Sequence, residues 1–425
     1  MTPAARTDAA IGLLAAISSD PTTPADRVAA AWFRRRRYAG SKDRAWVLSL
    51  VFSTLRRRGE LDWALAVQDP SPRQRTLAAL ARIEKLDANA INARFSQERY
   101  GPGLLSPDEQ AITLSLTTPV DSGSPPDWAR ANIPPELAVP LRESLGSDWV
   151  AELAALAEEA PVDLRVNALK GDRETARAAL AKEGVQTYPT PLSPLGLRVR
   201  GRANVTGCTA FQDGLIEVQD EGSQLTALVV CSEPGQTVID GCAGSGGKSL
   251  ALAAAMQNEG YIAAYDSKPR RLDQARRRCV RAGITMIEFA ESRGALPDAA
   301  DRVLLDVPCS GSGIWRRNPA AKWSTTRDSV TEYAVVQKEI LKTFAPYVKA
   351  GGRLVYVTCS LFAEENERQV EGFLSACPEF RVLPVNKIWS KTIGGEAPGS
   401  GLYLRLTPQS SGTDGFFAAV LERVE

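Results

Sequence analysis

Two cysteines fifty residues apart stand in matching frames: Cys309 between Asp306-Val307-Pro308 and Ser310-Gly311-Ser312-Gly313, and Cys359 between Thr358 and Ser360. Each follows a short aliphatic run bounded by turn residues, Val303-Leu304-Leu305 and Leu354-Val355-Tyr356-Val357, which reads as a fully buried parallel strand. Both thiols are therefore expected just past a strand's carboxyl end, the edge at which open α/β sheets bind ligands. A cysteine that only fills a core needs neither Pro308 before it nor Gly311 and Gly313 after it, because those residues shape a turn that exposes a side chain. Two thiols working on one substrate are the implied chemistry. Cys208, Cys231, Cys279 and Cys377 lack such a frame and read as packing residues.

The second chemical feature is a glycine loop. Thr237-Val238-Ile239 reads as a buried strand, and it runs through Asp240-Gly241-Cys242-Ala243-Gly244-Ser245-Gly246-Gly247-Lys248-Ser249 into a helical stretch from Leu250 to Met256. Glycines there let a backbone approach a ligand while free N–H groups at the helix start point at it. The next strand, Tyr261 to Tyr265, ends at Asp266, an acid placed to bond ribose hydroxyls. Gly247-Lys248-Ser249 mimics a phosphate-binding loop, but Cys242 stands where that motif needs glycine, and the dinucleotide pattern is not matched either. S-adenosylmethionine fits better, having ribose hydroxyls for Asp266, an amino acid part for the loop and no phosphate to cradle.

Histidine is absent from the chain, which removes the commonest general base and the commonest metal ligand together. With no Cys-x-x-Cys pair either, no metal is expected, and proton transfer falls to carboxylate, thiol, lysine, tyrosine or water. Seven cysteines without framework spacing, no apolar run long enough to span a membrane and no signal-like N-terminus point to a cytoplasmic protein. Net charge is only +1, yet residues 1–60 hold eleven Lys/Arg against five Asp/Glu, concentrated in Arg34 to Arg37 and Arg56 to Arg58. Two such clusters on neighbouring helices favour a phosphate-binding surface over a merely solvated face.

Three regions must position these groups. Residues 8–118 are helical in pattern, with apolar residues at three and four spacing in Ala29-Trp32-Phe33 and Trp46-Val47-Leu50-Val51-Leu55, and Ser106-Pro107-Asp108-Glu109 is a helix start. Thr117 to Pro126 reads as a linker. The expected domains are an all-α region over 1–120, a small α+β module over 127–215, and a doubly wound α/β domain over 216–425. Within the module, Val162 to Asn167 and Leu197 to Arg200 alternate like strands, and Arg173 to Glu183 reads as a helix.

Taken together, these residues resemble the RNA cytosine-5 methyltransferases of the Sun/Fmu family, in particular the RsmB type acting on small-subunit ribosomal RNA. The resemblance rests on Leu164-Arg165-Val166-Asn167, Val218 to Gln224, the glycine loop, Asp306 to Gly311, Arg316-Arg317-Asn318-Pro319 with Lys322-Trp323, and Thr358-Cys359-Ser360 followed by Glu364-Glu365-Asn366. It implies an α/β fold: a Rossmann-like class I methyltransferase domain preceded by a NusB-like RNA-binding domain and the small α+β module. It assigns attack on cytosine C6 to Cys359, release of the methylated product to Cys309, and the N3 contact to Asp306. It places S-adenosylmethionine against Cys242, Ala243, Gly244, Ser245, Gly246, Gly247, Lys248, Asp266, Glu291 and Asp306, and RNA against Arg316, Arg317, Lys322 and Trp323. Lys248 and Lys322 are both candidates for lowering the nucleophile's pKa. RNA is the expected partner, with no metal, no membrane and a monomeric state. A transfer RNA cytosine-5 methyltransferase, a non-catalytic RNA-binding assembly factor and a nucleotide hydrolase remain alternatives. Four departures stand out: Gly244-Ser245 replace the family's Ala-Pro and predict a floppier loop, Glu291 replaces aspartate, Ala320 follows Pro319 where the family has aspartate, and Ser411 replaces a histidine.

Overall fold

The computed structural model describes residues 1–118, 123–399 and 401–424, so the linker expected over 117–126 lies partly outside the described residues. The chain divides into two compact units: Met1–Glu159 with Trp315–Arg327, and Ala160–Ile314 with Asp328–Glu425.

The first unit is helical. Before Thr118 it runs from helix Pro3–Ser19 to helix Pro107–Thr117, and the apolar stripes read from sequence bury Ala29, Phe33, Val47, Leu50, Val51 and Leu55 in one core. Local chemistry sets the helix starts. Ser71 with Gln74, and Ser106 with Glu109, form reciprocal capping boxes ahead of Pro72 and Pro107. The helices between Asp127 and Ala155 join this unit rather than the α+β module, because Asn132 accepts a hydrogen bond from the Glu60 N–H at 3.1 Å and packs on Gly59.

The second unit holds two sheets. β1 (Asp163–Val166), β2 (Thr187–Pro189), β3 (Gly196–Val199) and β4 (Ile216–Val218) form an antiparallel sheet in the order β2-β3-β1-β4. β4 thus lies beyond the boundary expected at 215, paired with β1 through Arg165↔Glu217. The larger sheet contains β5 (Thr237–Asp240), β6 (Tyr261–Ala264), β7 (Ile287–Phe289), β8 (Ala300–Asp306), β9 (Val348–Thr358), β10 (Phe380–Val382), β11 (Leu404–Leu406) and β12 (Phe416–Arg423). Its order is β10-β12-β9-β8-β5-β6-β7, with β11 on β12, and β9 through β7 are parallel. This is the doubly wound Rossmann-like fold expected. The Val303–Leu305 and Leu354–Val357 runs are fully buried neighbours in register, because side chains on both faces pack into apolar clusters.

Candidate active site

Strand order places the chemistry. The chain winds outward from β5 through β6 to β7, then returns to β8 and β9 on the other side, so the crevice lies between the β5 and β8 ends. The register Asp240↔Leu304 and Asp306↔Val357 brings these ends to one edge, with the glycine loop leaving β5, the Cys309 turn leaving β8 and the Cys359 turn leaving β9.

Across that edge the Cys309 and Cys359 sulfurs are 3.3 Å apart, both half-buried. The two turns are stitched together by backbone: the Gly313 N–H donates to the Cys359 carbonyl at 2.9 Å, and the Gly415 N–H to the Gly313 carbonyl at 2.8 Å. A Cβ on Gly313 would lie 2.2 Å from the Gly415 oxygen, so only glycine permits this crossing. The hydrogen bond with Cys359, burial, and the charges of Cys359 and Glu365 push the Cys309 thiol well above its ordinary pKa. Glu365, to which sequence reading gave no role, is buried behind both turns.

In the glycine loop, Gly246 sits at φ +81 against Ala275, whose Cβ would be 2.7 Å from an added one. The Gly244 N–H donates to Asp266 Oδ2 at 2.9 Å, so the β6-end acid faces the loop. Lys248 donates to Asp306 at 2.6 Å, pairing two residues that the sequence left separate. Asp240 accepts from the Ser249 hydroxyl at 2.6 Å, and burial pushes its pKa up to about 6. Glu291 is exposed, just past β7.

The loop's expected slackness is countered by residues that the motifs did not reveal. Arg278 donates to the Ser245 carbonyl at 2.8 Å and to its hydroxyl at 3.2 Å, and its other nitrogen pairs with Glu217 of β4 at 3.0 Å. Arg165 of β1, fully buried, donates to the Gly247 carbonyl at 2.7 Å, and burial lowers its pKa to about 10. The small sheet therefore braces the loop from behind.

The segment expected to bind RNA departs from that reading. Residues 315–327 belong to the helical unit. Lys322 is 1% exposed, with its ammonium donating to the Arg56 carbonyl at 3.1 Å, and the Trp323 indole N–H donates to the Leu55 carbonyl at 2.7 Å. Arg316 is buried as well, and only Arg317 is exposed. Of the basic clusters, Arg57 and Arg58 pair with Glu60 and Asp62, whereas Arg34, Arg35 and Arg37 are exposed. Among the described residues no cluster of His, Cys, Asp or Glu could hold a metal ion, and no helix is long and apolar enough to cross a membrane.

A family model described as 16S rRNA methyltransferase RsmB/F matches residues 227–422, and one described as the RsmF/B-like ferredoxin-like domain matches 134–206. The probable ribosomal RNA small subunit methyltransferase B of Synechocystis sp. is 33% identical over 344 residues, covering 79% of this chain and 73% of the relative. The ribosomal RNA small subunit methyltransferase B of Pectobacterium carotovorum is 28% identical over 416 residues, 91% of this chain and 92% of its own. The crystal structure of a methyltransferase homolog protein from Pyrococcus horikoshii is 28% identical with a TM-score of 0.61, covering 70% of this chain and 98% of that one.

Proposed function

This chain belongs to the RsmB/F family of 16S rRNA methyltransferases, and from that premise we propose that it methylates C5 of a cytosine in small-subunit ribosomal RNA, with Cys359 as nucleophile and Cys309 assisting release. The observation that carries the reading is the pair of sulfurs 3.3 Å apart at the switch point of the sheet.

The methyl donor is S-adenosylmethionine, which when bound supplies an electrophilic methyl group on a sulfonium. The loop suits it. Gly244 sits at φ +54, where an added Cβ would meet Asp266 Oδ2 at 4.0 Å, so the acid faces the loop, and Asp240 Oδ1 is buried without a hydrogen-bond partner. Cys242 through Lys248, with Asp266, Asp306 and Glu291, would hold the donor.

Cytosine C5 is a poor nucleophile until a thiolate adds to C6 and converts the ring to an enamine. Cys359 makes that bond. Charge then develops toward N3, where a carboxylate alone can only accept a hydrogen bond. The Lys248 ammonium on Asp306 removes the difficulty, because the pair carries a proton that N3 can share. The methylated adduct must lose its C5 proton before the Cys359–C6 bond breaks. While Cys359 is free, its sulfur is the largest influence holding Cys309 protonated. Once Cys359 is bonded to carbon that influence disappears, leaving burial and the Glu365 charge; the Cys309 thiol is thereby eased toward losing its proton to solvent, and its thiolate then takes the C5 proton. The thiols therefore act in sequence. C6 is hidden within a base stack, so the target must be unpaired or flipped out. The exposed Arg34, Arg35 and Arg37 of the helical unit, which we read as NusB-like, supply phosphate contacts.

Incubation with labelled methyl donor and unmodified 16S rRNA should yield 5-methylcytosine, and bisulfite sequencing should map it to one unpaired site. Label in another base, or none in any ribosomal RNA, would overturn the proposal.

A further inference from the structure

Glu365 accepts two hydrogen bonds at each of its carboxylate oxygens. It is 0% exposed, and a carboxylate so placed is costly unless its oxygens are satisfied. Oε1 accepts from the Ser310 N–H at 2.8 Å and from Gln337 Nε2 at 3.0 Å, and Oε2 accepts from the Ser310 hydroxyl at 2.5 Å and from the Ser360 hydroxyl. Ser310 follows Cys309, and Ser360 follows Cys359. Gln337 donates the same nitrogen to the Pro308 carbonyl at 3.0 Å, so the residues on both sides of Cys309 are gathered on one group. Ser312 closes the arrangement, accepting from the Leu361 N–H at 2.7 Å. Glu365 is itself anchored, because its carbonyl accepts from the Tyr356 hydroxyl at 2.6 Å.

We propose that Glu365 is a positioning residue: its carboxylate spans the two turns and sets the distance between the Cys309 and Cys359 sulfurs. This rests on the two-thiol reading of the site, but its geometry needs only the thiols. Reach, rather than charge, is the property invoked. Glu365→Gln keeps the length and an acceptor for the Ser310 N–H, and the serine hydroxyls can turn to accept from its amide. Glu365→Asp keeps the charge but withdraws it by about 1.5 Å, one bond length, so that it satisfies one turn at most.

Two readouts test this in the full-length protein. The first is kcat for RNA methylation, with the dissociation constant for S-adenosylmethionine measured alongside. The second is the rate at which diamide, a diazene oxidant, closes the Cys309–Cys359 disulfide; the thiols lose two electrons and two protons, and the diazene gains them as a hydrazine. For Glu365→Asp we expect kcat and closure rate each to fall at least about tenfold with cofactor affinity unchanged, since displacements near an ångström cost up to about a hundredfold. Glu365→Gln should keep kcat within about threefold of wild type and close its disulfide no more slowly, since losing the Glu365 charge removes one of the influences that hold the Cys309 thiol up. Wild-type values for the Asp variant, or a Gln variant as impaired as Asp, would overturn the proposal. Should Glu365→Asp fail to fold, Ser310→Ala combined with Ser360→Ala removes both hydroxyl donors and must give the same two losses. If wild type methylates no RNA, the site reading fails, while the closure rates still decide the role of Glu365.

Discussion

Two consecutive stretches, 306–314 with its serines and glycines and 315–327 with its arginines and lysine, are both rich in polar residues and serve opposite ends. In the first, a half-buried thiol is left facing its twin, and the surrounding serines spend their hydrogen bonds on holding it there. In the second, the polar heads of Lys322 and Trp323 are consumed. A helix leaves its last four carbonyls unpaired, and Leu55 and Arg56 end the helix Ser41–Arg56. The Trp323 indole and Lys322 ammonium donate to those two carbonyls, with Arg58 over the Trp323 ring at 4.8 Å, so the dipeptide is a cap supplied from far along the chain. Residue type states what a side chain can do; the orphan group nearest to it decides what it does.

The contrast is sharpest at the thiols. Cys359→Ala should reduce methyl transfer by about 10⁴-fold or more, because removing a nucleophile that acts in concert forfeits nearly all of the covalent catalysis. Cys309→Ala should instead accumulate a protein–RNA adduct that survives denaturing electrophoresis. Neither change should alter the melting temperature by more than about 2 °C, since each thiol is half-buried and small. Equal behaviour of the two variants would break the proposed order of events.

An intermediate effect belongs to the loop on the other side of the crevice. Arg278→Ala removes two hydrogen bonds to Ser245 and one of the two ion pairs that Glu217 makes with Arg278 and Arg281. Calorimetric titration should give about tenfold weaker S-adenosylmethionine binding, about 1.4 kcal/mol, just under the contribution of a single charged hydrogen bond because the brace acts on the loop rather than on the ligand. An unchanged affinity would mean that Gly244-Ser245 need no brace.

How much of this was legible follows from the range of the forces involved. Strands β5, β6, β8 and β9 and the glycine loop are written locally, as apolar runs ending in turn residues, and so was their meeting at one sheet edge. The clasp of Arg278 on Ser245, the reach of Glu365 behind two turns and the burial of Lys322 depend on backbone groups brought near only by tertiary contact. β4 is hidden for a related reason: three residues, Ile216-Glu217-Val218, carry too little pattern to reveal pairing with β1. The helix start at Ser106 was legible because its capping partner, Glu109, lies three residues away, whereas the end capped from 322 and 323 carries no local signal.

The smallest effect separates the second stretch from chemistry altogether. Burial, reinforced by the nearby Arg56 guanidinium, lowers the Lys322 pKa from 10.5 to about 7. In the unfolded chain the amine keeps its proton to about 10.5, so between these values the unfolded state binds more protons than the folded one, and stability must rise with pH. The melting temperature should therefore climb by about 2 °C or more from pH 7 to pH 9, and Lys322→Met, which keeps the volume and discards the charge, should flatten that rise. It should leave the diamide closure rate of the two thiols untouched. A pH slope that persists in the Met variant would assign it to another group, whereas a change in thiol closure would make Lys322 part of the site and dissolve the distinction between the stretches.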